Sequence, residues 1–176
     1  GSYELSRTSI SNVELITGSS GADTINGHST TAHKLAAGAG NDVISFGSGA
    51  DTLSGEAGND TLSGGGGGDS IDGGAGDDLI VGGSGEDTLI GGTGNDTFSG
   101  SASELNTDVI SGLEAGDMIV ITGNDTLVAS LNGTTLGSSI NLDGRTLNIS
   151  GAASNLTITA TDGGTDTVLT FTAQAP

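Results

Sequence analysis

At 176 residues the chain has room for one ordinary domain, or for a short solenoid with a cap. It carries 22 acidic residues against 3 basic ones, for a net charge of −19, which excludes a generic nucleic-acid or anionic-membrane binder, since both need a basic face. Aromatics make up 2% and cysteine is absent, so neither a conventional large core, nor disulfides, nor thiolate chemistry is expected. Residues 3–17 (YELSRTSISNVELIT) alternate loosely and predict one or two lead-in strands, with Val13, Leu15 and Ile16 apolar. No run reaches the apolar length of a membrane span, and residues 1–20 lack a signal peptide's apolar centre.

From Ala37 to Ser99 one nine-residue pattern runs seven times without a gap: AGAGNDVIS, FGSGADTLS, GEAGNDTLS, GGGGGDSID, GGAGDDLIV, GGSGEDTLI, GGTGNDTFS. Aspartate stands at the sixth place of each, as Asp42, Asp51, Asp60, Asp69, Asp78, Asp87 and Asp96. GSSGADTIN (18–26) is a further copy with Asp23, and HSTTAHKLA (28–36) a degenerate one with His33 in the aspartate place, if Gly27 is an extra residue. The chain has 34 glycines, and those within the repeat fall in register with the aspartates, which argues for order rather than disorder.

Within a unit, glycines at places one, two and four permit a tight turn, and the last three residues predict a short strand with its middle side chain facing inward. Those inward residues are Ile25, Leu35, Ile44, Leu53, Leu62, Ile71, Ile80, Leu89 and Phe98. Their neighbours are mostly Thr and Ser, which suit a water-facing strand. Leu79, Val81 and Ile90 depart from this and place aliphatics outward. One nine-mer cannot bury its apolar residue alone, so two form a turn and stacked turns build two facing sheets over a thin aliphatic core. After residue 118 the pattern turns to alternating strands separated by Asn132-Gly133 and Asp143-Gly144, which are hairpin signals. The expectation is an all-β chain with three parts: lead-in strands over 1–17, the coil over 18–99, and an antiparallel β cap over 100–176 that seals the open end.

The unit resembles the calcium-binding nonapeptide of the RTX family over roughly residues 18–99. The following stretch, GGTGNDTFSGSASELNTDVISGLEAGDMIVIT, is similar to the post-repeat segment of serralysin-type proteases, whose acidic positions Asp108 and Asp117 match. The resemblance implies a right-handed parallel β-roll that binds several calcium ions. Units two apart lie on one side of the coil, so Asp23, Asp42, Asp60, Asp78 and Asp96 form one row and Asp51, Asp69 and Asp87 the other. An ion between such turns would take carboxylate oxygen from them and carbonyl oxygen from Gly38, Gly40, Gly47, Gly49, Gly58, Gly65, Gly67, Gly74, Gly76, Gly83, Gly85, Gly92 and Gly94. His33 ends the second row, and the site beside it should be weak or empty.

The off-register acids Glu56, Asp72, Asp77 and Glu86 read as a solvated face, and His28 and His33, with no third ligand nearby, as solvent-facing. No Gly-x-Ser-x-Gly, His-Glu-x-x-His or Walker pattern occurs, so catalysis is not expected. The resemblance implies export by type I secretion machinery and folding on calcium outside the cell. The parent is then a secreted or cell-surface protein of surface-layer or adhesin type, with self-association or a cell-surface glycan as possible partners and neither nucleic acid nor membrane insertion involved. The alternative is a carbohydrate-binding accessory module of a secreted RTX enzyme, for which Arg7, Lys34 and Arg145 are too few and too scattered to line a groove.

Overall fold

The computed structural model describes residues 2–5, 15–27, 30–123, 139–142, 145–150, 156–162 and 166–173, and these are built of strands and turns without a helix. Successive strands alternate between two sheets. The first sheet takes β1 (Ser2–Leu5), β3 (Thr24–Gly27), β5 (Val43–Ser45), β7 (Thr61–Gly66), β9 (Leu79–Ser84), β11 (Thr97–Ser101) and β13 (Met118–Thr122) in that order, followed by β17 (Thr167–Ala173) and β16 (Leu156–Asp162). The second takes β2 (Leu15–Thr17), β4 (Lys34–Ala39), β6 (Thr52–Ala57), β8 (Ser70–Ala75), β10 (Thr88–Thr93) and β12 (Val109–Ser111), followed by β15 (Arg145–Ser150) and β14 (Ser139–Leu142). The chain thus winds as a parallel β-solenoid.

Register follows the period. Ile25, Ile44, Leu62, Ile80, Phe98 and Ile119 are successive partners in one sheet. Leu35, Leu53, Ile71, Leu89 and Ile110 are partners in the other. All are buried, and the two columns face each other as one thin core. Each such side chain contributes about 1.5–3 kcal/mol on burial. Of the outward aliphatics, Leu79 is 37% exposed, whereas Val81 and Ile90 are half-buried.

Two features differ from the sequence reading. Strands such as Thr52–Ala57 run six residues across the unit boundary. The residues at places one to three therefore continue the strand, and the turn is confined to places four to six. The glycines at places two and four, Gly74 and Gly76 for example, have φ of 106° and 133°. A Cβ on either would strike a carbonyl of the preceding turn, that of Glu56 or Gly58, so both φ and stacking require glycine there.

Parallel pairing also continues past Ser99: β12 pairs with β10 and β13 with β11, both parallel. The aspartate spacing widens here from 18 to 21 residues. The added length is taken up in the turn around Ala102–Thr107, leaving the strand register intact. Antiparallel pairing begins at β13–β17 and continues through β16–β17, and β14–β15 caps the other sheet. Leu169 and Phe171 of β17 extend the core across this end. Asn132-Gly133 and the Asp143-Gly144 turn lie outside the described residues, although the strands flanking the latter pair with Leu142 opposite Arg145.

Candidate metal centre

The strand that carries an inward leucine or isoleucine at place eight starts one residue after the aspartate at place six, and alternation turns that carboxylate inward as well. The repeat aspartates from Asp23 to Asp96 are accordingly buried, as are Asp108 and Asp117. They stack in two rows. In the first, the backbone N–H groups of Asp23, Asp42, Asp60, Asp78 and Asp96 donate to Oδ1 of Asp42, Asp60, Asp78, Asp96 and Asp117, at 2.7 to 3.0 Å. In the second, those of His33, Asp51, Asp69 and Asp87 donate to Oδ1 of Asp51, Asp69, Asp87 and Asp108, at 2.7 to 3.1 Å. Each carboxylate therefore ties its turn to the one before it. Asp108 and Asp117, set apart in sequence by the irregular spacing, close the two rows.

The second oxygen of most of these groups has no such bond. Oδ2 of Asp42, Asp51, Asp60, Asp69, Asp78, Asp87, Asp96 and Asp108 is buried without a hydrogen-bond partner. An unmatched buried carboxylate oxygen is costly, on the order of 1–3 kcal/mol or more for a charged group. Burial pushes Asp69 and Asp78 up to about 6 and Asp108 up to about 7, with neighbouring carboxylates of the same row adding to the rise. At the ends of the first row the situation differs. Ser19 N–H donates to Asp23 Oδ2 and Glu114 N–H to Asp117 Oδ2, both at 2.7 Å. A backbone donor thus meets the Oδ2 of each terminal carboxylate.

Five of the eight orphaned oxygens, those of Asp60, Asp69, Asp78, Asp87 and Asp96, lie in cradles made by place-one glycines, which the sequence reading did not include among the site residues. A Cβ on Gly55 would collide with Asp60 Oδ2 and the carbonyl oxygen of Gly73. Gly64 stands in the same relation to Asp69 and Gly82, and Gly73 to Asp78 and Gly91. Gly82 and Gly91 are closed off by Asp87 and Asp96. Glycine at place one from Gly55 onward was the available signal. Its meaning is steric, because the backbone here is extended rather than left-handed. Among the described residues no three acidic or histidine side chains converge on one point. A cation in these cradles would have to draw on carbonyl oxygens together with the carboxylates, and the cradles present both. An oxygen-only donor set with net negative charge suits a hard divalent cation.

His33 corrects its assignment to solvent. It is 5% exposed, stacks on Phe46 with ring centroids 5.4 Å apart at 11°, and holds Nδ1 3.3 Å from Asp51 Oδ1. His28 lies outside the described residues. Glu56, Asp72, Asp77 and Glu86 are exposed, as read. Asp77 nevertheless belongs to an outer ladder missed in the sequence, in which the N–H groups of Asn59, Asp77 and Asn95 donate to Oδ1 of Asn41, Asn59 and Asp77. Place five of alternate units carried that signal.

Four copies of the RTX calcium-binding nonapeptide repeat match this chain, at residues 11–29, 34–53, 47–80 and 72–103, together about half its length. No curated protein matches it. With the parallel coil and its in-register aspartates, this establishes that the chain belongs to the RTX calcium-binding nonapeptide repeat family, and its coil is a calcium-binding structural module.

Proposed function

We propose that the two rows of orphaned carboxylate oxygens are the calcium sites, and that ion binding is what makes the coil fold. The observation that carries this reading is the set of eight buried Oδ2 atoms without a partner, each held in place because its sister Oδ1 is fixed by the neighbouring turn. Asp42, Asp60, Asp78 and Asp96 would serve one row, and Asp51, Asp69, Asp87 and Asp108 the other. Carbonyls of the glycine turns would complete each set. Bound calcium supplies positive charge that offsets carboxylate repulsion and desolvation. Asp23 and Asp117, whose Oδ2 atoms already accept from backbone N–H groups, act as terminal caps of the first row.

Weak sites of the extracellular class bind at about 10⁻⁴–10⁻³ M, and each adds about 1.4 kcal/mol at tenfold excess. Several together convert a glycine-rich, highly acidic chain from unfolded to folded as calcium rises. That dependence, with the family membership, supports a structural module of a secreted or cell-surface protein of surface-layer or adhesin type, exported unfolded by type I machinery. Circular dichroism during a calcium titration tests the folding link, with calorimetry giving the stoichiometry. A β-sheet signal that appears only with calcium is expected. The same signal in excess chelator at neutral pH would overturn the proposal.

A further inference from the structure

The first step of the second row is built differently from every other step. Where the remaining units place a carboxylate at place six, the turn before Asp51 has the buried imidazole of His33. Where units from Gly55 onward place glycine at place one, the facing unit has Phe46, also buried. The two rings stack, at 5.4 Å and 11°. Gly27 provides the space, since a Cβ there would run into the Phe46 ring. The local backbone has adapted to match. Among the described residues at places two and four from Gly38 to Gly94, Gly47 and Gly49 are the two that leave the left-handed region. β5 stops at Ser45, three residues short of the six-residue β4, β6 and β7. Two unrelated changes of residue type, a matching glycine and a reshaped turn thus converge on one pocket.

We propose that His33 and Phe46 form an aromatic plug that takes the place of a calcium ion at this step, so that the turn is joined to its neighbour by ring stacking and by the Asp51 carboxylate rather than by metal. The proposal rests on the reading of the rows as calcium sites. Chemistry favours it over a second kind of metal site. The pocket offers an imidazole nitrogen 3.3 Å from Asp51 Oδ1 and a phenyl ring, with no third side-chain ligand among the described residues. The plug makes one turn of the stack independent of calcium, and so a defined starting point from which metal-dependent turns can add.

The test compares calcium stoichiometry of the native chain with that of the double variant His33→Asp, Phe46→Gly by calorimetry, with circular dichroism reporting the fold of each. A folded double variant that binds about one more ion per chain than the native protein, while either single variant does not, is the expected result. A folded double variant with native stoichiometry overturns the plug and leaves the calcium rows standing. A native chain that takes up no calcium overturns both readings. Should the double variant not fold, NMR of the calcium-loaded native chain decides. Carbon-bound protons of His33 shifted upfield by the Phe46 ring support the plug, and unshielded ones, as for rings parted by an ion, overturn it.

Discussion

Asp60 donates its backbone N–H to Oδ1 of Asp78 at 2.7 Å, and Asp78 is thereby left with a buried Oδ2 that no protein group meets. One contact thus does two things. It locks turns eighteen residues apart into register, and it turns a charged oxygen toward the glycine carbonyls.

Replacing Asp78 by Asn should separate the two roles. The amide oxygen can still accept from Asp60, but the orphaned anionic oxygen is gone. About one fewer calcium ion per chain is expected, with a loss of about 1–3 kcal/mol in saturating calcium. Asp77→Asn, one residue away on the exposed ladder, should change stability by less than about 0.5 kcal/mol. Calorimetry and thermal unfolding of the pair check this, and equal effects would remove Asp78 from the site.

Gly73→Ala should be severe although it adds one methyl group. Its Cβ would meet Asp78 Oδ2 and the Gly91 carbonyl, an overpacking penalty of about 1–3 kcal/mol beside loss of ion binding at that turn. Gly68→Ala, whose Cβ would meet only the Glu86 carbonyl oxygen at 3.2 Å, should be close to neutral. The calcium concentration at half-folding reports both.

Glu56 stands at place two with φ of 71°, in a position otherwise held by glycine from Gly65 to Gly92. The left-handed conformation costs a side-chain-bearing residue about 1–2 kcal/mol. Glu56→Gly should therefore raise the melting temperature in saturating calcium, despite removing nothing from the core. A lower melting temperature would show that the Glu56 side chain makes a contribution larger than this strain.

Acidity should act in opposite directions with and without metal. Burial raises Asp69 and Asp78 to about 6 and Asp108 to about 7, so the metal-free folded chain binds protons more readily than the unfolded one. In chelator, stability should rise as pH falls from about 7 toward about 4 and be lost again as pH climbs. With calcium present, protons compete for the same oxygens, and the calcium midpoint should move upward on acidification. Dichroism titrations at about pH 7.5 and pH 5.5 check both signs.

Much of this molecule is legible in the nine-residue period alone. The period determines which side chains face inward, because strand alternation and an eighteen-residue turn leave Leu35, Leu53, Ile71 and Leu89 no other common column. It also divides the aspartates into two rows, as the hydrogen bonds from Asp42 to Asp60 and from Asp51 to Asp69 bear out. Three things were decided only by the stacked turns. Which carboxylate oxygen is satisfied and which is orphaned depends on a backbone N–H eighteen residues away. The place of Asp108 and Asp117 at the ends of the rows was hidden by an irregular interval that the turn around Ala102–Thr107 absorbs. The burial of His33 required Phe46 from the next turn to stack on it and Gly27 to make room. Period is a property of the chain, but complementarity between turns exists only once they are stacked.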